Sequence, residues 1–421
     1  MDQSTEFDVA IIGAGISGLT LSLFLEKQGI SSVVLEASDR VGGKAWSVDC
    51  EGAVAELGAC YLARDYQEVI ALGKDFGVGT RLLTSSDAEP DSLLGRYYKT
   101  TIPGRLAQAA VVLANLQRYA RRRRKALARF AAKDSATCAA LAAPGSEWLK
   151  GAGCQGLEAL FVLLVDRFGY GPMNAVPALY VLRWMTPSLI ISAILRDAKL
   201  FDAGFGGLAA RIADKATVRL ESPVTKVARA PDGRWILSTP RGDVVAGKVA
   251  VACPPTAPEL LDLFDPARRA VLEHDLESTA YGAALVTARN WFDTHQRACM
   301  TAGDHRDQLL AARRDGPSQS GAAYYVCYLY PGAGDRAHVE KVLRQALKAR
   351  GAELEQVLEV HCPPNYLTRV SREAISAGRY FELEDGQGRN DVWLCNSVLA
   401  HENWRDLIAL SRKTADQIGR V

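Results

Sequence analysis

Apolar positions 7–12 (Phe7, Val9, Ala10, Ile11, Ile12) run on rather than alternate, which predicts a strand buried on both faces in a parallel sheet. A glycine turn follows, and Leu19, Leu23 and Phe24 then recur at helical spacing, which predicts a helix over 16–28 ended by Gly29. Positions 32–36 are β-rich, so the first 36 residues predict one βαβ unit. Segment 64–201 is rich in Ala and Leu and predicts mostly helix. Positions 217–239 predict two strands around Pro231-Asp232-Gly233, and 248–252 a buried strand stopped by Pro254-Pro255. Strands are expected at 281–288, 324–330 and 392–394, an amphipathic helix at 338–350, and a last helix at 404–418.

The chain has 421 residues, of which 48% are hydrophobic, enough to bury a core divided between two domains. A net charge of +2 gives no general pull toward nucleic acid. The nine cysteines stand singly, with no C-x-x-C pair, and suit buried free thiols in a reducing compartment. The six histidines show no metal spacing, so no metal site is expected. The first apolar run opens a strand rather than a leader, and no uninterrupted apolar run has the roughly 18 residues of a membrane span. A cytoplasmic protein without a transmembrane segment is expected.

Gly13-Ala14-Gly15-Ile16-Ser17-Gly18 is a G-x-G-x-x-G with a strand before it and a helix after it. Gly13 allows the turn, Gly15 the approach of a pyrophosphate, and Gly18 close packing of helix on strand. The helix start offers Ile16 and Ser17 amides to phosphate. Glu36 closes the second strand about 20 residues on, where its carboxylate can accept ribose hydroxyls.

The run that continues through Glu36, Ala37, Arg40, Gly42, Gly43, Lys44 and Ala45 resembles the E-x-x-x-R-x-G-G-[RK] signature of amine-oxidase-like flavoproteins. The resemblance implies FAD, with Arg40 helping to hold the pyrophosphate and the Gly-Gly step passing toward the flavin. Glu56-Leu57-Gly58-Ala59 is similar to the next block of that family, which lies along the isoalloxazine ring. Phe205-Gly206-Gly207-Leu208 resembles its glycine-rich helix start, and 221–227 its strand whose valine, here Val224, pairs with the adenine edge. The implied fold is α/β: a Rossmann-type FAD-binding domain from 1–63, 201–255 and 370–421, with a discontinuous substrate domain (mixed sheet plus helical segment) from 64–200 and 256–369.

Phe168-Gly169-Tyr170-Gly171, Val176-Pro177-Ala178-Leu179-Tyr180, Ala377-Gly378-Arg379-Tyr380 and Gln387-Gly388-Arg389-Asn390 resemble blocks of polyunsaturated fatty acid double-bond isomerases and of cyclopiazonate-type dehydrogenases. Two departures stand out. The family's Gly-Glu at the ribityl chain is Asn396-Ser397 here, which loses a charge-assisted bond. The isomerases' FPH segment is replaced at 367–369. The amine oxidases' lysine beside flavin N5 also has no counterpart: between Tyr281 and Asn390 the lysines are Lys341 and Lys348, on an expected surface helix.

The resemblance implies hydride transfer to flavin N5 from a small-molecule substrate held in a dry cavity, with Tyr61, Tyr170 and Tyr281 as candidate polar contacts. Net oxidation at a C–H beside nitrogen or a double bond is placed first. Redox-neutral isomerisation of a fatty-acid-like substrate and flavin binding without turnover are the alternatives. The basic stretch 118–125 is assigned to a solvated helix face, ahead of contact with a carrier protein or a membrane surface. The stripe Trp184, Met185, Leu189, Ile190, Ile194 is assigned to core, ahead of lining a substrate tunnel.

Overall fold

The computed structural model describes residues 5–83, 86–93, 102–301, 305–318, 321–332, 334–363 and 365–420. The elements that position the site are, in chain order, β1 (Glu6–Ile12), α1 (Ile16–Glu26), β2 (Ser32–Leu35), the hairpin β3 (Ser47–Cys50) and β4 (Ala53–Glu56), and the long helix α2 (Ile102–Ala131). Then come the helices α3 (Ala178–Trp184), α4 (Pro187–Leu195) and α5 (Gly204–Ala213), and the strands β5 (Gly242–Val251), β6 (Gly282–Arg289), β7 (Leu309–Pro317) and β8 (Ala323–Leu329). Strand β9 (Val392–Leu394) and helix α6 (Trp404–Ile418) follow.

Val9, Ala10 and Ile11 are fully buried on both faces of β1, as the unbroken apolar run requires. Strand β1 pairs in parallel with β2 on one side and with β5 on the other. Residues Val218–Arg219 add a further parallel strand beyond β2. On its other edge β5 serves two further partners: its first half pairs antiparallel with Trp235–Thr239, and its last three residues pair in parallel with β9. Helix α1 buries Leu19, Leu21 and Leu25 completely, each worth about 2 kcal/mol on burial. It crosses α6 at small residues, where Ser411 Oγ donates to the Ser17 carbonyl at 2.9 Å.

The second sheet runs Glu353–His361, β6, β8, β7, Gln296–Ala298, Ser86–Ala88. Every residue of β8 is buried, and its alternation sorts the two faces. Tyr325, Cys327 and Leu329 pack with Val339, Leu343 and Leu347 of helix Arg336–Lys348. Tyr324, Val326 and Tyr328 share the opposite cluster with Ala55, Leu57 and Tyr281. That parity aims Tyr281 and Tyr328 toward the first sheet.

Several expectations are corrected. Segment 64–201 is mostly helical but includes strands Thr80–Leu82, Ser86–Ala88 and Lys199–Phe201; residues 84–85 and 94–101 lie outside the described ones. The stripe from Trp184 to Ile194 is not one helix face. Thr186 caps α4 by accepting from the Leu189 amide, Pro187 sits at its first turn, and the two helices meet at 61°. Ile190 is therefore buried while Ile194 is 44% exposed. Val224 precedes the strand Lys226–Arg229 rather than lying in it. The nine cysteines are free thiols. Among the described residues no single helix is long and apolar enough to cross a membrane.

One buried polar cluster joins the β3–β4 hairpin and the start of α5 to the second sheet. The Glu56 carboxylate accepts from Ser47 Oγ and from the Phe205 amide, each at 2.6 Å, so a β4 side chain caps the start of α5. Its carbonyl accepts from Tyr328 Oη at 3.2 Å and from Arg313 at 3.5 Å, and Arg313 is itself paired with Asp315 at 2.8 Å. Burial, against these donors and the Arg313 charge, pushes Glu56 up to about 7 from the ordinary 4.5. A carboxyl raised in the fold stabilises it while protonated, and that contribution is lost as pH rises from about 4.5 to about 7. Over this window the wild type should lose up to about 3 kcal/mol relative to Glu56→Gln in urea titrations. A difference that does not change with pH would show that Glu56 stays ionised.

Candidate active site

The turn after β1 opens a cleft. Gly13 donates its amide to the Leu35 carbonyl at 2.8 Å. A Cβ on Gly18 would lie 2.0 Å from the Gly13 carbonyl oxygen, so α1 can sit this close to the turn only with glycine there. Gly15 instead faces open space, with nothing within 4 Å of its Cβ direction. It caps α1 without a side-chain bond, leaving first-turn amides toward the cleft. Glu36 stands beside them, accepting from the Ala14 amide at 2.7 Å and from Ser38 N and Oγ at 2.9 and 2.7 Å.

A second backbone layer covers this turn. Gly42 donates to the Ala14 carbonyl at 2.9 Å, which brings 42–45 against Gly15. Behind it, Ala59 donates to the Lys44 carbonyl at 3.2 Å, and a Cβ on Gly58 would stand only 1.7 Å from that same oxygen. Asn396 ties the end of β9 to the neighbouring loop by donating to the Cys253 carbonyl at 2.7 Å and accepting from the Val398 amide at 3.1 Å.

These strips line one cavity of about 540 Å³ that also holds the candidate chamber. Of the expected cofactor residues, Gly13, Gly15, Ile16, Ser17, Glu36, Gly42, Gly43, Lys44, Ala45, Leu57, Gly58, Ala59, Asn396 and Ser397 are brought together in its wall. Four are not. Gly18 is spent on helix packing, Ala37 is exposed, and Val224 packs against the core of the first sheet. Arg40 lies over the Trp46 ring at 4.4 Å and donates to the Gly43 carbonyl at 2.9 Å, so it braces the Gly-Gly step from outside.

Tyr61, Tyr170 and Tyr281 all line the cavity. Tyr170 Oη donates to the Glu402 carbonyl at 3.1 Å, and Tyr281 Oη to the Arg167 carbonyl at 3.0 Å. Tyr61 Oη is buried and has no hydrogen-bond partner among the described residues. Sequence reasoning missed Arg167, Tyr328 and Tyr366, together with the leucines Leu160, Leu163 and Leu164, while Trp184 and Leu189 of the apolar stripe do line the cavity. Tyr328 was findable from the two-residue period of 324–330; Tyr366 comes from a loop that no local pattern marks. Arg167 has no ion pair or side-chain hydrogen bond among the described residues; its guanidinium lies over the Phe168 ring at 5.0 Å. The cavity's carboxylates are Glu36, already bonded, and Glu402, paired with Lys44 at 2.5 Å. Burial raises the pKa values of all three candidate tyrosines and pushes the Cys60 thiol up to about 11, so the charged side chains of the lining are Arg167, Arg196, Glu36 and the Lys44–Glu402 pair.

Glycines 15 and 58 should separate in a paired test. Gly58→Ala forces apart the Lys44–Gly58 contact and should cost the chain about 3 kcal/mol, read as a lower melting temperature. Gly15→Ala, at an extended φ of −71° and with open space ahead, should leave the melting temperature of the ligand-free chain unchanged. Equal losses in both variants would contradict the close-approach argument.

Comparison with known proteins agrees with this architecture. The chain is 36% identical over 99 residues to a flavin-containing amine oxidase of Oncorhynchus mykiss, a match that covers 23% of this chain and 19% of that protein. It is 25% identical over 264 residues to the polyenoic fatty acid isomerase of Ptilota filicina, covering 54% of this chain and 52% of that one. The matched part is thus about half or less of the length of these relatives. The crystal structure of a CLA-producing fatty acid isomerase from P. acnes superposes with a TM-score of 0.81 over 99% of both chains at 19% identity, a likeness of fold. The family described as "Flavin containing amine oxidoreductase" matches residues 16–356, and the chain belongs to that family.

Proposed function

We propose that the chain binds FAD in this cleft and takes a hydride from a carbon beside a double bond of an apolar substrate bearing an anionic end. The observation that carries this reading is the continuity of one cavity from the glycine turn to an aromatic chamber. The cleft suits the cofactor: first-turn amides of α1 for the pyrophosphate, Glu36 for ribose, and the strips 42–45 and 57–59 for the ring system. Segments 1–63, 201–255 and 370–421 would form the cofactor domain. When bound, the flavin supplies hydride acceptance at N5.

The chamber's own residues favour loss of hydrogen as hydride over loss as a proton. Its tyrosines and Cys60 keep their protons near neutral pH, and its two carboxylates are engaged, so no uncommitted base faces a substrate. For the same reason nothing there is poised to hold an ammonium group, which favours a C–H beside a double bond over one beside nitrogen. Leu160, Leu163, Leu164 and Phe168 exclude water and hold an apolar chain, while Arg167 can take a carboxylate. Tyr61, Tyr170 and Tyr281 line this space, and their rings are the candidates for orienting the reacting carbon.

Return of the hydride to the substrate gives a shifted double bond, and this is the preferred outcome. Support comes from the wall's neutral tyrosines and from relatives named as fatty acid isomerases. Lys341 and Lys348 are also exposed on Arg336–Lys348, so no lysine from described residues 281–390 serves O2 chemistry. Net oxidation is the second reading, and the replaced segment 367–369 favours it. Anaerobic incubation of the FAD-loaded protein with an unsaturated fatty acid decides between them. Isomerisation should leave the flavin oxidised and the product mass unchanged. A product lighter by two hydrogens with bleached flavin would establish oxidation, and failure to bind FAD at all would end both.

Arg167 can be tested with the same substrate. Arg167→Leu should raise KM for the carboxylate substrate about 10- to 100-fold with little change in kcat, and leave a methyl-ester analogue unaffected. An equal loss on acid and ester would mean that Arg167 only shapes the chamber.

A further inference from the structure

Helix α2 holds seven arginines and one lysine and no Asp or Glu, in a chain whose net charge is only +2. Its basic stretch does more than coat a solvated face. Tyr119 is fully buried and donates to the Met185 carbonyl at 2.6 Å, and Arg123 is half-buried and donates to the Leu182 carbonyl at 2.5 Å, which fixes the helix against α3 and the start of α4. Arg121, Arg122, Arg124 and Lys125 are left outward, without an ion pair among the described residues. Val111 precedes Arg118, Arg122 and Lys125 by seven, eleven and fourteen residues, so one stripe of the helix carries them all.

The exposed large apolar side chains of the described residues lie on two neighbouring helices and one strand. They are Val111 (47%) and Leu113 (64%) on α2, Ile194 (44%) and Leu195 (55%) at the end of α4, and Leu82 (55%). Leu82 pairs with Lys199, four residues beyond Leu195, and α2 packs on α4. Beside Leu82, Ile194 and Leu195 lie Leu83, Ala193, Arg196 and Ala198, which line the cavity. Leu82, Ile194 and Leu195 therefore form an apolar rim beside the cavity's lining, and the outward cations of α2 stand on the helix packed against α4.

The geometry points to this face as a docking surface for an anionic lipid bilayer: the apolar rim enters the headgroup boundary, α2 lies along the anionic surface, and the cavity opens toward the acyl chains. Charge complementarity selects the occupant. A nucleic acid would meet the cations but leave the leucines and isoleucine in water, whereas a bilayer accepts both. Each basic side chain near such a surface strengthens binding about fivefold. The inference does not depend on the reaction assigned above, since it uses no cofactor and no turnover.

Flotation of the full chain with vesicles is the test. Protein should float with vesicles of phosphatidylcholine containing about a third phosphatidylglycerol and stay in solution with phosphatidylcholine alone. Combined Arg121→Glu, Arg122→Glu and Arg124→Glu should weaken binding at least about tenfold. Combined Leu113→Ser, Ile194→Ser and Leu195→Ser, on exposed positions outside the cavity wall, should weaken it several-fold at unchanged melting temperature. Absence of flotation would overturn the inference. So would a serine variant that floats as the wild type does, because binding through the cations alone would mark the face for an acidic macromolecule instead.

Discussion

Burial of the Glu56 side chain between the β3–β4 hairpin, α5 and the second sheet is the constraint on which the architecture turns. A carboxyl deep in the protein is costly unless every lone pair is met, and here the donors come from three different segments: Ser47 on β3, the Phe205 amide on α5, and, at the carbonyl, Tyr328 on β8. The α5 amide reaches Glu56 only if α5 starts beside the hairpin. Tyr328 reaches it only if the second sheet presents its Tyr324–Val326–Tyr328 face inward. Arg313 and Asp315 on β7 form a buried ion pair against the same carbonyl. Such a pair contributes little net stability, but breaking it would strand a charge, so it specifies the relative placement of the sheets more than it strengthens them.

The cavity follows from that placement. Hairpin β3–β4 leads directly into Leu57-Gly58-Ala59, and the Lys44–Gly58 contact holds this strip against 42–45, which in turn lies on the glycine turn. Two of these three layers touch through backbone alone, which is why glycine stands at each contact. The second sheet closes the far end with Tyr281 and Tyr328, and Leu160, Leu163 and Leu164 close a side. One buried cluster thus sets both the cleft and the chamber.

What was legible in the sequence was local. The βαβ unit, the glycine turn and Glu36 depend on contacts within about 36 residues, and the strips at 42–45 and 57–59 follow shortly after. Strand β5 was seen only in its second half because Gly242, Asp243 and Gly247 bracket Val244-Val245-Ala246 and cut the apolar run short. Strand β7 was missed for a related reason: Arg313 and Asp315 read as solvent-facing, although both are buried in an ion pair that only the folded chain assembles. Arg40 and Val224 were placed in the site by resemblance, while their side chains here brace the Gly-Gly step and the core. The kink between α3 and α4 was readable from Thr186-Pro187, but helical spacing on both sides of it masked the break.

The chamber's electrostatics are the last step of that chain of causes. Tyrosines brought in from several elements surround a small volume, and three of the six spend their hydroxyls on protein carbonyls: Tyr170 on Glu402, Tyr281 on Arg167, Tyr328 on Glu56. A hydroxyl donating to a carbonyl in a dry site is held in its neutral form, so the wall offers neither a base nor a counter-charge to a cation. The same bonds hold Arg167 in place from its backbone while leaving its guanidinium uncommitted. A ligand in this space meets apolar surface, tyrosine and tryptophan rings, and the uncommitted guanidinium of Arg167. That combination discriminates by shape and by a single anionic contact, and it leaves bond-making chemistry to whatever lies along the glycine-lined strips.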